Sequence, residues 1–496
     1  MLRILGSPKK LCSGMTRREM LRVGGLGLAG LSLPELLRLQ AAADASSQAP
    51  SFGKAKSIIL IHLYGAPSQL EWVDPKPDAP VEVRGELNAI PSNLAGCQVG
   101  ELFPKMSRVM DKVTVLRSLT HPYPIHGVAF ALTGVSSIDV AMELSPRDPR
   151  HWPYFGSVVD YVMSRGRTGF QPVPNNIALS FRFSSRRKGE VPRAGPFAAF
   201  LGSEFDPAWT DFSGEATRGH KKTLQDMVYT DNDPYMGVNE GCHFVMPAAS
   251  GFPADMTLDR LNTRRSLLEQ FNEQRQELDR TTSGTVLSRH QQAAMAILES
   301  DQLSRALDVR REPRTIRELY GFTLFGQSCL AARRLVQAGS RVVSVFWDEY
   351  GLAGTGWDTH WNHYPRMRDE LCPGFDQGWF GLMTDLDQMG LLDETLVVCT
   401  SEHGRTPKLN KADGGGRDHW SNVYSSIIAG GGVARGRVVG SSDKHAAEVA
   451  ETPISPKDLL ATMYHLLGID HEQVVYDRLK RPLPLVEGNV IWKALA

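Results

Sequence analysis

The residues most able to do chemistry lie between positions 356 and 420. GWDTHWNHY (356–364) carries Asp358, His360 and His363, and TSEHGRTPKLNKADGGGRDHW (400–420) carries Glu402, His403, Arg405, Arg417, Asp418 and His419. A solvated loop can hold Lys and Arg at no cost, but it has no use for Glu-His and Asp-His pairs. Carboxylate and imidazole at such short spacing are ordinary ligands for zinc or manganese, with calcium as the oxygen-preferring alternative. Four of the chain's 14 histidines fall in this stretch, each beside or near a carboxylate. A two-ion centre needs roughly six to eight donors around ions about 3.5–4 Å apart. Asp358, His360, His363, Glu402, His403, Asp418 and His419 meet that number, so one or two divalent ions are expected. Arg405 and Arg417 add forked donors that suit phosphate or sulfate oxygens, or that pair with the acidic ligands themselves.

These residues need elements to hold them. SIILIHLYG (57–65), VTVLRSL (113–119), RVVSVFWDEYG (341–351), TLVVCTSEHG (395–404) and SSIIAGGG (425–432) are β-rich apolar runs that end in polar or Gly-rich sequence. Helical periodicity appears in LFGQSCLAARRLVQAG (324–339) and GFDQGWFGLMTDLDQMG (374–390). The alternation predicts an α/β sandwich, three layers around a mostly parallel central sheet. Such sheets bind ligands outside the carboxyl ends of their strands, which is where the polar endings fall. Residues 165–320 read as a loop-rich and helical insertion, a cap on the main domain that spans 57–496.

With 55 basic and 55 acidic residues among 496, the chain has no net field to favour nucleic acid. The N-terminus reads as targeting, not fold: TRREMLR (16–22), the short apolar run VGGLGLAGLSL (23–33) and LQAAADAS (39–46) have the three parts of a twin-arginine export signal over 1–45. A linker at 46–56 follows. The apolar run is too short to span a bilayer stably, and no later stretch reaches that length, so the mature chain is expected to be periplasmic or secreted, without a transmembrane segment. Of six cysteines, Cys12 leaves with the signal; the odd remainder and the lack of C-x-x-C spacing argue against a disulfide framework.

The order Asp-x-His after one strand, then S-E-H-G-R-T-P after another, then G-R-D-H-W resembles an exported family, domain of unknown function 1501, itself similar to the alkaline phosphatase and sulfatase superfamily. GAPSQLEWVDPKPDAP (65–80), HPYPIHGVAFALTG (121–134), AFLGSEFDPAW (199–209), YGFTLFGQSCLAARRLVQAGSRVVSV (320–345) and DLLATMYHLLGI (458–469) extend the resemblance over nearly the whole chain. It implies an alkaline-phosphatase-like fold. Asp358 with His360 or His363 resembles the superfamily's first Asp/His pair, Glu402-His403 its consecutive acid–His pair, and His419 its late lone histidine. Two positions depart from the pattern. Tyr64-Gly65 stands where a metal-binding carboxylate is implied, with Glu71 or Asp74 as substitutes, and the implied nucleophile position falls on Pro124. Ser118, Thr120, His121 and His126 are its neighbours; His126 can bind metal or serve as an acid/base group.

The resulting expectation is a metal-dependent hydrolase of phosphate or sulfate esters in the cell envelope, with His126 and Arg405 in catalytic roles and water as nucleophile. Its substrate would be a small anionic ester or a sulfated or phosphorylated glycan. The rival is a non-catalytic glycan- or envelope-binding protein on the same fold.

Overall fold

The computed structural model describes residues 49–496 except 124–125, 127, 136–139, 144, 147, 149, 166–171, 184–192, 225–226, 248–300, 353–354 and 478. The export signal, the start of the linker, most of the charged helical stretch of the insertion, and Pro124 lie outside the described residues.

The main unit, Gly53–Ala496, is built on an eight-stranded sheet. Its strands are β1 (Ser57–Leu63), β2 (Val113–Leu119), β3 (Asn176–Leu179), β4 (Ala208–Trp209), β5 (Val342–Trp347), β6 (Thr395–Thr400), β7 (Tyr424–Ala429) and β8 (Arg437–Val439), in the spatial order β8-β2-β7-β6-β1-β5-β3-β4. All five apolar runs singled out in the sequence are strands. Only β7 runs against its neighbours, pairing antiparallel with both β6 and β2. The fold is α/β with a mostly parallel sheet, as expected.

β1 shows why the sheet lies in the middle of three layers. Ile59, Ile61 and Leu63 join one buried cluster, with residues of α3 (Leu324–Gln337) and α4 (Cys372–Gln388) such as Leu330 and Trp379. Ile58 and Leu60 join a second, with Phe155 and Val159 of α2 (Phe155–Ser164) and Tyr464 of α5 (Pro456–Leu466). The strand therefore reads as a continuous apolar run, because period-two alternation sends its side chains to two dry faces. Each fully buried Ile or Leu contributes roughly 1.5–3 kcal/mol. Local signals set the helix ends: Thr323 caps α3 through Gly326 N–H at 3.1 Å, and Ser455 with Asp458 forms a capping box on α5.

The region 165–320 is not separate from this sheet. β3 and β4 lie inside it and extend the sheet parallel to β5. Four residues and two residues are too short to show a strand period against the surrounding Pro and Gly, so the sequence alone hides them. The five described cysteines are all free and buried. No helix among the described residues is long and apolar enough to cross a membrane.

The parallel register aligns the strand ends that matter. His62 is level with Phe346 of β5 and with Thr400 of β6. Hence Tyr64-Gly65 after β1, Asp348-Glu349 after β5 and Ser401-Glu402-His403 after β6 emerge on one edge.

Candidate metal centre

The centre is assembled by three loops and one incoming segment. Just beyond β6, Gly404–Arg405 pairs antiparallel with His419–Trp420, placing Arg405 opposite His419. The Gly-rich arm between them is thus a closed loop, tied by Thr406 N–H to Asp418 O at 2.8 Å and Asn410 N–H to Gly416 O at 2.9 Å. This pairing brings the rings of His403 and His419 to 4.4 Å between centroids. The Asp358 loop docks beside β1 through Trp357 N–H to Tyr64 O at 2.8 Å, and Arg417 N–H donates to Thr359 O at 3.1 Å. His126, immediately before the short helix α1 (Val128–Thr133), packs edge-on to His419 with centroids 4.2 Å apart.

Two groups of three donors result. His126, His403 and His419 form one, and Asp358, His360 and His419 the other; within each, one ligand atom per residue lies within 4.8 Å of the others. The Nδ1 of His403 is 2.8 Å from Gly404 O, an acceptor only, so Nδ1 carries the proton and donates. That leaves Nε2 with its lone pair, fully buried and without a hydrogen-bond partner among the described residues. A histidine that donates Nδ1–H to a carbonyl and presents a bare Nε2 is arranged as a metal ligand is. Burial holds the imidazole well below its usual pKa, with Glu402 raising it and Arg405 lowering it further, so it is neutral. His419 is also pushed down by burial, against the pull of Asp358.

Asp358 is the electrostatic hub. Its Oδ1 pairs with Arg405 and lies 3.0 Å from His360 Nε2 and 3.3 Å from His419 Nε2, while Oδ2 is 3.4 Å from His126 Nε2. Burial alone would raise its pKa, but Arg405 and the three histidines outweigh burial and hold it well below the usual carboxylate range. Burial would lower His126, yet Asp358 and Glu402 raise it to about 10. The two carboxylates thus favour positive charge between them. The donor types, the bare His403 nitrogen and this charge balance fit a divalent ion held by His126, His403 and His419, with Asp358 and His360 alongside.

The other candidates take different places. Asp418 accepts from His360 Nδ1 at 2.7 Å and orients that ring. His363 turns away from the centre: its Nδ1 is 2.8 Å from Thr359 Oγ1 and its Nε2 is 3.4 Å from Glu71 Oε2. Glu71 in turn pairs with Arg417, whose Nε is 3.0 Å from Oε1. Neither substitute for the implied carboxylate joins the two donor groups: Glu71 faces His363 and Arg417, and Asp74 is engaged by Ser442, Lys76 and Arg117. Arg405, expected to act on substrate, is fully buried and spends its donors within the protein. They go to Asp358, Gly65 O, Ala66 O at 3.1 Å and Arg417 O at 3.1 Å. Arg417 is likewise committed to Glu71, Thr406 O, Pro407 O and Val83 O.

Sequence reasoning missed His62, Gln69 and the packing role of Tyr64. His62 continues the row of Ile58 and Leu60, is fully buried, and has Nε2 3.3 Å from Glu402 Oε2. A histidine inside an otherwise apolar strand was the available signal. Gln69 clamps Arg405 from both sides, accepting its N–H at 3.0 Å and donating to its carbonyl at 2.8 Å. Tyr64 stacks on His126 at 5.1 Å between centroids, with the Arg193 guanidinium 3.6 Å from the centre of its ring.

Fold and site together define an α/β protein whose carboxyl-edge loops assemble a histidine–carboxylate centre. The chain belongs to the family described as protein of unknown function (DUF1501), which it matches over residues 55–495. Among solved structures it is similar to Ps i-CgsB in complex with k-i-k-neocarrahexaose, at 11% identity and TM-score 0.37, covering 88% of this chain and 75% of that one. PsFucS1 sulfatase from Pseudoalteromonas sp. aligns at 13% identity and TM-score 0.35, covering 84% and 68% respectively. The phosphonate monoester hydrolase SpPMH from Silicibacter pomeroyi aligns at 11% and 0.31, covering 88% and 76%. At these scores the likeness carries no functional argument, which rests on the site. No curated protein matches the sequence.

Proposed function

We propose that this chain is a metal-dependent hydrolase of phosphate or sulfate esters, exported to the cell envelope by the twin-arginine signal at its N-terminus. The observation that carries this reading is the convergence of His126, His403 and His419 on one point beside Asp358 and His360, with His403 Nε2 bare. Imidazole-rich donors favour zinc, and the carboxylate keeps manganese in contention. A divalent ion bound there supplies Lewis-acid polarisation of an ester oxygen. The chain's own residues do the rest. Asp358 and Arg405 fix the charge balance, Asp418 aims His360, and His126 keeps a proton on Nδ1 toward Glu402.

Ser118, one of the hydroxyls near the implied nucleophile position in sequence, is fully buried and donates to Thr452 O at 2.5 Å. Water is therefore the nucleophile this arrangement supports, and a small anionic ester or a sulfated or phosphorylated glycan the substrate. The test is metal analysis of the purified mature protein, followed by turnover of an aryl phosphate and an aryl sulfate by wild type and Asp358→Asn. Bound metal with turnover that Asp358→Asn removes supports the hydrolase. The internal commitment of both Arg405 and Arg417 favours a second reading, a non-catalytic glycan- or envelope-binding protein. Bound metal with no turnover of any ester decides for it.

A further inference from the structure

Glu402, like His363 and Asp418, is a candidate ligand that belongs to neither donor group found among the described residues. Its carboxylate is fully buried, and Oε1 is already engaged. Oε1 accepts Gly65 N–H at 2.8 Å and lies 3.1 Å from His126 Nδ1, and Oε2 is 3.3 Å from His62 Nε2. The backbone is pinned as well, since His121 Nε2 donates to Glu402 O at 2.7 Å. The oxygen that already accepts the Gly65 N–H meets His126 Nδ1 as an acceptor, so Nδ1 carries the proton on that side.

We infer that Glu402 is a positioning residue and not a ligand: it accepts Nδ1–H of His126, fixes that ring's tautomer and orientation, and turns Nε2 toward His403 and His419. This rests on the metal-centre reading and refines it. A carboxylate behind a ligating histidine sets the tautomer and strengthens the ring as a donor, and its loss typically weakens metal affinity 10–100-fold without abolishing binding. Gly65 is part of the device. Its φ is +93°, a region glycine enters without strain, and an added Cβ would come within 2.3 Å of Asp358 N. A side chain there would push apart the loops that carry Glu402's hydrogen-bond donor and Asp358.

Two measurements test this. In ¹⁵N-histidine-labelled wild type, with the signal assigned by loss in His126→Gln, His126 should carry a proton on Nδ1 whether its ring is neutral or charged; an unprotonated Nδ1 overturns the inference. This reading needs no metal, so it stands apart from failure of the hydrolase proposal. Second, zinc affinity by competition with a chromophoric chelator should fall about 10–100-fold in Glu402→Gln, with the oxygen-donor count from X-ray absorption unchanged. Unchanged affinity, or loss of an oxygen donor from the zinc shell, overturns the positioning role. If Glu402→Gln fails to fold, the absorption spectrum of zinc-loaded wild type decides between a shell built from the two groups and one that includes a further carboxylate.

Discussion

Replacing Glu71 by Gln should cost about 3–5 kcal/mol at neutral pH, because it leaves the buried guanidinium of Arg417 without its anion. Glu71 and Arg417 are almost fully buried, joined through Oε1, with His363 Nε2 3.4 Å from Oε2. Burial by itself raises the Glu71 pKa, but Arg417 and then His363 outweigh it, and the value drops from 4.5 to about 2. That gap corresponds to about 3.4 kcal/mol at 1.36 kcal/mol per pH unit, within the range for breaking a buried pair. The sign follows from a depressed folded-state pKa. The contribution is complete above pH 4.5, falls as the unfolded chain takes up its proton, and is gone below about 2. Urea unfolding followed by tryptophan fluorescence should therefore show a gap between wild type and Glu71→Gln that is constant from pH 7 to 5. Below 4.5 it should narrow by about 1.4 kcal/mol per pH unit. A gap under about 1 kcal/mol at pH 7, or one that does not narrow in acid, would refute the assignment of Glu71 as the anchor of the Arg417 loop.

His403→Ala removes the buried Nε2 that has no hydrogen-bond partner among the described residues, and it should sharply weaken zinc affinity, read by calorimetry. Zinc at about 100 times its Kd should raise the unfolding free energy of wild type by about 2.7 kcal/mol, and a chelator should abolish the gain. An identical gain in His403→Ala would exclude that residue as a ligand. Gly65→Ala should destabilise by about 1–3 kcal/mol or more, from strain at φ +93° and collision with the Asp358 backbone; a wild-type denaturation midpoint would contradict this.

What the sequence determined by itself is the frame. Apolar runs with polar endings are local patterns, and they specify β1, β2, β5, β6 and β7. The parallel register then delivers Glu402-His403 and the Asp358 loop to one edge. The short strands β3 and β4 at one end of the sheet escaped because so few residues carry no period. Only the tertiary structure decided which way each loop side chain turned. Asp358, His360 and His363 lie within six residues, yet His363 faces Glu71 while the other two face His419. Glu402 is met by a backbone N–H from Gly65, 337 residues away in sequence, and Arg417 by Glu71, 346 away. A loop residue has no strand or helix period to aim it, so its direction is set by the partner that satisfies its charge once buried. For Glu402, His363, Arg405 and Arg417, that partner comes from the segments that follow β1 and β5, which meet the 400–420 stretch only when the sheet is formed.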